Sequence, residues 1–162
     1  MTRLFIVLLL TPAVSLGSAM AAGRQATEVT TLSGSLRVHV QAEQFQMVTS
    51  IRGLPLGVRD GLQTLFGGGL DIAEPGAEFR MTDVVVNPNL PTRRLVAAGC
   101  STDHCIVYFE RRGIGHTWQV ALFHWTPSGT RLEWSGTAPG GLSTVDDVRK
   151  AILSGAIKGR RL

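Results

Sequence analysis

The architecture of this chain is set by residues 94–111, which read RLVAAGCSTDHCIVYFER. Two apolar segments, 94–98 and 106–111, flank a short polar segment that begins and ends with a cysteine. Short runs of valine, isoleucine and aromatic residues, separated by turn-forming residues, are typical of paired strands. We therefore predict two antiparallel strands joined by the cysteine-bounded loop 100–105.

The sequence after this stretch continues as a meander. Residues 116–126 and 131–135 are predicted to form two further strands, because turns marked by glycine and proline separate them from their neighbours. Residues 79–86 predict an additional strand upstream of the loop. Apolar and polar residues alternate over 36–40, which predicts another short strand near the start of the domain.

Helices are predicted before and after the sheet. One apolar set recurs at helical spacing and consists of Val58, Leu62, Leu65 and Phe66. The glycine triplet 67–69 is expected to end that helix, and residues 42–51 predict an earlier one. The closing helix is expected to begin at Ser143, with Asp146 three residues later, and to end at Gly155. The fold class predicted is α+β, an antiparallel β-sheet with N-terminal helices and a C-terminal helix packed on one face.

The N-terminus indicates export. Arg3 supplies a positive charge, residues 4–10 are all apolar, and residues 19–21 form the small-x-small pattern of a cleavage site. The apolar run is too short for a permanent membrane span, although a retained anchor is the alternative. We interpret residues 1–22 as a secretory signal peptide and residues 23–162 as a single domain in the periplasm, with no membrane association after cleavage.

The charge of the chain gives little reason to expect nucleic acid as a partner. The formal net charge is +4, and much of the excess lies in the tail at residues 158–161. The rest of the chain is close to neutral, and it has no basic stripe with interleaved aromatic residues on which bases could stack. No nucleic-acid partner is therefore predicted.

The loop 100–105 is the most informative functional feature. Cys100 and Cys105 are the two cysteines of the chain, and two cysteines in an exported protein usually form a disulfide. Closing a 15-residue loop stabilises a protein by roughly 3 kcal/mol, and this loop is shorter. Rigid display of the enclosed side chains is therefore a stronger reason for the disulfide than stability. These side chains are Ser101, Thr102, Asp103 and His104.

A hydrolytic triad is one alternative use of these residues. Ser101, Asp103 and His104 are the residue types of a serine hydrolase, but the histidine must lie between the other two in space. Three residues within one six-residue ring cannot easily converge in that way, and the sequence lacks the G-x-S-x-G motif. No enzymatic activity is predicted.

A zinc site is the other alternative. Cys100, Cys105 and His104 could be combined with His116 or His124 into a four-ligand set. Export favours oxidation of the thiols, however, and the adjacent His104 and Cys105 would have to converge on one ion. Neither a metal nor a cofactor is predicted, and His116 and His124 are interpreted as ordinary strand residues.

The segment 94–105 resembles the central part of the periplasmic inhibitors of vertebrate lysozyme, the Ivy family. The signature of that family is a strand that runs into a C-K-P-H-D-C loop closed by a disulfide. The similarity extends as a pattern over roughly residues 36–157, and it is specific only at the loop. In the family histidine precedes aspartate, whereas here Asp103 precedes His104, and Thr102 takes the place of proline.

The resemblance implies a function. In that family the loop of an α+β domain enters the lysozyme cleft, where its histidine contacts two catalytic carboxylates. It therefore implies a non-catalytic inhibitor of lysozyme or of a related murein-cleaving glycosidase, with residues 100–105 as the inhibitory loop, and it allows a homodimer. The alternative is a non-inhibitory envelope binding module of the same fold, with a cell-wall fragment or a protein as its ligand.

Overall fold

The computed structural model describes residues 31–81, 87–111 and 115–160. The predicted signal peptide, residues 1–22, lies outside these ranges. In chain order the elements are α1 (Gly34–Ala42), β1 (Gln46–Val48), a 3₁₀ turn (Ile51–Gly53), α2 (Leu56–Leu65), β2 (Arg93–Cys100), β3 (His104–Arg111), β4 (Thr117–Thr126), β5 (Gly129–Ala138), α3 (Val145–Ser154) and β6 (Lys158–Arg160). Within the described residues, no helix is long and apolar enough to cross a membrane.

The six strands form one antiparallel sheet whose spatial order is the same as the chain order, β1 to β6. Together with the three helices this makes an α+β fold, which confirms the predicted fold class. The meander of β2 to β5 is the predicted one; β2, β3 and β5 extend one to three residues beyond the predicted ends, and β4 begins one residue later, after His116. Since each strand pairs with its sequence neighbour, the β2–β3 and β4–β5 turns lie at the same end of the sheet.

Helices cover both faces of this sheet. Residues of α1 and α3, among them Val40 and Val148, form one core with Tyr108 and other side chains of β3 to β5. Val58 and Leu62 of α2 contribute to a second core on the opposite face. Because β3 and β4 lie between two apolar layers, their central residues are buried on both sides. The sheet is therefore a rigid platform for the turns at its end.

The position of α1 is fixed by hydrogen bonds to α3. The Arg149 side chain donates from Nε to the Val40 carbonyl (3.1 Å) and from Nη2 to the Gln41 carbonyl (3.1 Å). These carbonyls belong to the last turn of α1, where backbone acceptors lack helical partners. Arg37 of α1 donates in return to the Leu153 carbonyl. The end of α1 is thus held at a defined place beside the sheet.

The predictions for the first part of the domain were wrong. Residues 36–40 lie in α1 instead of a strand, and residues 42–51 run from the last residue of α1 through β1 to the first residue of the 3₁₀ turn instead of forming a helix. Leu36 and Val40 are both buried and are four residues apart. This spacing fits the alternation of a strand as well as one turn of a helix. The Ser33 side chain accepts from the Leu36 N–H and caps the helix, which favours the helical alternative.

Smaller differences between prediction and structure occur in other elements. Residues 79–81 form no strand, and the rest of that predicted strand, 82–86, lies outside the described residues. The cap of α3 is Thr144 instead of Ser143, and Thr144 and Asp147 form a reciprocal capping box. Gly155 ends α3 with a left-handed backbone, as predicted. Residues 158–160 of the basic tail pair with β5 as strand β6, and the side chains of Lys158 and Arg160 are exposed.

Candidate functional site

The hairpin between β2 and β3 is closed by a covalent bond. Cys100 and Cys105 are direct partners across the two strands and form a disulfide, with their Cα atoms 4.1 Å apart, which confirms the predicted pairing. The Ser101 N–H donates to the His104 carbonyl (2.7 Å), and the Trp125 N–H on β4 donates to the Asp103 carbonyl (2.8 Å). The turn is therefore tied both to itself and to the neighbouring strand.

The residues of this turn point in different directions. Cys105 is fully buried in the core on the α2 face, and Cys100 packs against the same core. His104 precedes Cys105 in the strand, so its ring lies on the opposite face, which α1 covers. Thr102 and Asp103 are exposed at the tip. The turn thus presents two polar side chains while the residues on either side of them hold it in place.

The imidazole of His104 is buried between two glutamates. Only 4% of its side chain is exposed. Nδ1 lies 2.8 Å from Oε1 and 3.0 Å from Oε2 of Glu43, the residue that ends α1. Nε2 lies 3.4 Å from Oε2 of Glu133 on β5. Both ring nitrogens therefore face carboxylates of this chain, and the ring points inward instead of toward a partner.

Glu43 is the centre of this polar cluster. Its carboxylate accepts hydrogen bonds from the Ser101 hydroxyl and from Nδ1 of His39 (2.7 Å), which lies one turn earlier in the chain. Burial alone would raise the pKa of Glu43, but the hydrogen bonds from Ser101 and His39 and the charge of His104 hold that pKa below its ordinary value. Glu43 is consequently a carboxylate that joins α1 to the hairpin.

An irregularity in β5 brings Glu133 to this cluster. Leu122 pairs with Trp134 whereas the next residue, Phe123, pairs with Leu132, so Glu133 is an extra residue in β5. Such a bulge changes the direction in which a side chain points and is common beside functional sites. Arg131, which is exposed, pairs with Glu133 through Nη2 and Oε1 (2.6 Å).

The cluster forms the wall of an open cleft of about 470 Å³ at the disulfide-closed end of the sheet. His124 lies beside His104 in the register of the sheet, with ring centroids 5.3 Å apart, and His39 approaches His104 at 4.7 Å. The cleft is lined by Ser33, Ser35, Leu36, His39, Asp103, His104, His124, Arg131 and Glu133. Its lining is chiefly polar, and it combines three histidines with two acidic residues and one arginine.

The structure does not assemble the triad considered from the sequence. Ser101, Asp103 and His104 are close in the chain, but Glu43 lies between the serine hydroxyl and the imidazole. A histidine in that position cannot take the proton of the serine. Asp103 is exposed, and the two ring nitrogens of His104 face Glu43 and Glu133 instead.

The cysteine-based zinc set is not assembled either. Both sulfur atoms are in the disulfide and are not available as thiolates. His116 lies at the opposite end of β3, where its Nε2 is 2.7 Å from Oε2 of Glu110 and its ring stacks on Trp118. His124, in contrast, does lie next to His104. His124 therefore belongs to the cleft, and His116 does not.

Three residues of the site, His39, Glu43 and Glu133, are not among those predicted from the sequence. His39 and Glu43 have i, i+4 spacing, which places two side chains on one face of a helix. The wrong boundary between a strand at 36–40 and a helix at 42–51 separated them and concealed this signal. Glu133 could not have been found from periodicity, because a bulge breaks the alternation of the strand.

Comparisons with known proteins identify no relative. A scan against protein-family models, a search of curated proteins and a search of solved structures each return no match for this chain. The resemblance to the lysozyme inhibitors at residues 94–105 therefore stays a prediction. The hairpin and the cleft are therefore the features of this chain that bear on its function.

Proposed function

We propose that this chain is an exported, non-catalytic inhibitor of lysozyme or a related murein-cleaving glycosidase. The observation that supports this proposal is the hairpin tip, where Thr102 and Asp103 are exposed on a turn that is fastened on both faces. The disulfide fastens one face, and the contacts of Ser101 and His104 with Glu43 fasten the other. A rigid tip loses little conformational freedom on binding, which favours affinity.

The chemistry of the tip suits a glycosidase cleft. Such a cleft holds two carboxyl groups, one of which has a raised pKa and stays protonated as the general acid. The Thr102 hydroxyl can donate to the ionised carboxylate, and the Asp103 carboxylate can accept from the protonated acid. In this proposal His104 positions the tip and does not contact the target, unlike the histidine in the Ivy family.

The location and the oligomeric state belong to the same proposal. Residues 1–22 have the pattern of a signal peptide, and a periplasmic protein would meet murein and the enzymes that cleave it. Oxidising conditions there would maintain the Cys100–Cys105 bond. A homodimer, which the resemblance allows, can be tested by sedimentation of the mature protein.

A second candidate is an envelope binding module that inhibits no enzyme. The cleft favours it, because polar groups with donors and acceptors converge there beside the hairpin. Arg131 supplies a positive charge at the rim, and Glu133 and Asp103 supply acceptors. A sugar or peptide fragment of the cell wall has the matching hydroxyl, amide and carboxylate groups.

Titration of the mature protein into a lysozyme assay on a cell-wall suspension separates these candidates. We expect inhibition that is at least tenfold weaker in Thr102→Ala and Asp103→Ala, because contacts at the centre of an interface contribute most of its affinity. Glu78→Ala is the matched control, since it removes an exposed carboxylate at the opposite end of the sheet.

Two results would contradict the inhibitor proposal. One is the absence of inhibition with lysozymes and with lytic murein enzymes at protein concentrations well above that of the enzyme. The other is inhibition that Thr102→Ala and Asp103→Ala leave unchanged. Binding of cell-wall fragments without inhibition would support the second candidate instead.

A further inference from the structure

We propose that His39, Glu43 and His104 form a zinc-binding site in the wall of the cleft. One ligand atom from each residue, a ring nitrogen of each histidine and a carboxylate oxygen of the glutamate, lies within 4.8 Å of the other two. This inference does not rest on the proposed inhibitor function, because neither of the exposed tip residues, Thr102 and Asp103, is a ligand. It also differs from the cysteine-based set, whose thiols are oxidised.

The distances fit a small ion after a modest adjustment. Nδ1 of His39 and Nδ1 of His104 lie 2.7 Å and 2.8 Å from Oε1 of Glu43. Zinc bonds of about 2.0–2.1 Å at tetrahedral angles place neighbouring ligand atoms about 3.3 Å apart. Nδ1 of each histidine therefore needs to lie about 0.5–0.6 Å farther from Oε1 of Glu43 than it does here. They come from α1 and β3, whose relative position Arg149 and the sheet already fix.

The chemistry of the ligands favours zinc over calcium or magnesium. Two imidazole nitrogens and one carboxylate oxygen are a typical zinc set, whereas the hard cations prefer oxygen ligands alone. His39 has about half of its side chain exposed and borders the cleft, so an ion has a path to the site. Three protein ligands leave a fourth position for water.

The position of Glu133 also favours a zinc site at His104. A histidine that binds zinc through one nitrogen usually donates from the other to a carboxylate, which fixes the ring and its tautomer. His104 has a carboxylate on each side, since Nδ1 faces Glu43 and Nε2 lies within ion-pair distance, 3.4 Å, of Oε2 of Glu133. With zinc bound at Nδ1, Nε2 would carry the N–H and point it toward Glu133.

The site can be tested on the untagged mature protein with its disulfide intact. The protein is equilibrated with zinc, desalted and analysed for metal by mass spectrometry, and affinity is measured by competition with a chromophoric chelator. We expect one zinc per chain. His39→Ala removes an exposed ligand and should weaken binding at least tenfold, and Glu133→Gln should weaken it about 10–100-fold, as changes in the outer shell of zinc sites do.

His116→Ala is the matched control, because His116 also pairs with a glutamate but lies at the other end of β3. It should retain full binding. Absence of stoichiometric zinc in the wild type would overturn the proposal, and so would equal affinity in the wild type and His39→Ala. Circular dichroism of each variant shows that it is folded, so that a loss of zinc can be assigned to the loss of a ligand.

Discussion

Glu43 at the end of α1 and His104 at the start of β3 are joined through Oε1 and Nδ1 at 2.8 Å, across 61 residues of sequence. This contact fastens the disulfide-closed hairpin to the helix that covers it. The same carboxylate accepts from the Ser101 hydroxyl, so a single side chain holds both flanks of the exposed tip. Glu43 is therefore central to the candidate site even though it lies outside the hairpin.

Glu43→Ala is expected to lower the free energy of unfolding by about 1–3 kcal/mol in metal-free buffer. The change leaves the buried Nδ1 of His104 without its acceptor, and unsatisfied buried groups carry a penalty of that size. His39→Ala removes the more exposed partner of the same carboxylate and should cost less than about 1 kcal/mol. Urea denaturation of the two variants and the wild type measures both values. Equal destabilisation by the two changes would show that Glu43 does not hold the hairpin.

Replacing both Cys100 and Cys105 with alanine should destabilise the protein by about 2 kcal/mol. This figure follows from the loop-closure entropy of a six-residue ring in the unfolded chain. Guanidinium denaturation of the double variant, compared with the oxidised wild type, tests it. Reduction of the wild type should give the same loss. A much larger loss would mean that the sulfur atoms contribute mainly through packing, since Cys105 is fully buried.

Gly61→Ala in α2 is expected to destabilise the protein by about 1–3 kcal/mol, although alanine is the better helix former. A Cβ at this position would lie 2.7 Å from Cε1 of Phe123, whose ring is fully buried and cannot move aside cheaply. Gly34→Ala in α1 is the control. Its Cβ would meet nothing, so a gain of about 0.4–1 kcal/mol is expected there. Thermal denaturation of the two variants should therefore show shifts of opposite sign.

Much of the fold could be predicted because its signals are local. The β3–β4 and β4–β5 turns contain glycine or proline, two cysteines bound the β2–β3 turn, and α2 and α3 each bury one apolar face. The first helix was missed because Leu36 and Val40 fit both a strand and a helix. The cap of α3 was placed one residue early, since Ser143 and Thr144 are both good caps and differ only in which of them reaches the correct N–H.

In the candidate site the disulfide could be predicted from the sequence, but the surroundings of His104 could not. The disulfide follows from the number of cysteines and their spacing, and it was found. The direction of the His104 ring depends on strand pleating and on what α1 places above it, which no local pattern contains. Glu43 and Glu133 reach this ring from distant elements, the second through a bulge. A histidine that the sequence suggested as a displayed contact is therefore an internal anchor.

Tyr108 is expected to ionise only at a pH far above the ordinary range for tyrosine. Burial raises the pKa of Tyr108 to about 12; a backbone hydrogen bond with Leu142 opposes this change, and the charge of Glu110 adds to it. The hydroxyl donates to the Pro139 carbonyl (2.8 Å). Tyr108 is the single tyrosine of the chain, so phenolate absorbance reports this group alone. The native protein should titrate near 12, and the guanidinium-unfolded chain near 10.

The raised pKa of Tyr108 also predicts how the free energy of unfolding depends on pH. Because the folded state holds the Tyr108 proton more tightly than the unfolded state does, this contribution to stability is complete below pH about 10 and is lost as the pH rises toward 12. Tyr108→Phe removes the titrating group, so the difference in unfolding free energy between wild type and variant should shrink over that window. At neutral pH the variant should be less stable by about 1 kcal/mol, the value of one hydrogen bond. A difference that stays constant from pH 9 to 12 would show that the hydroxyl ionises equally easily in both states.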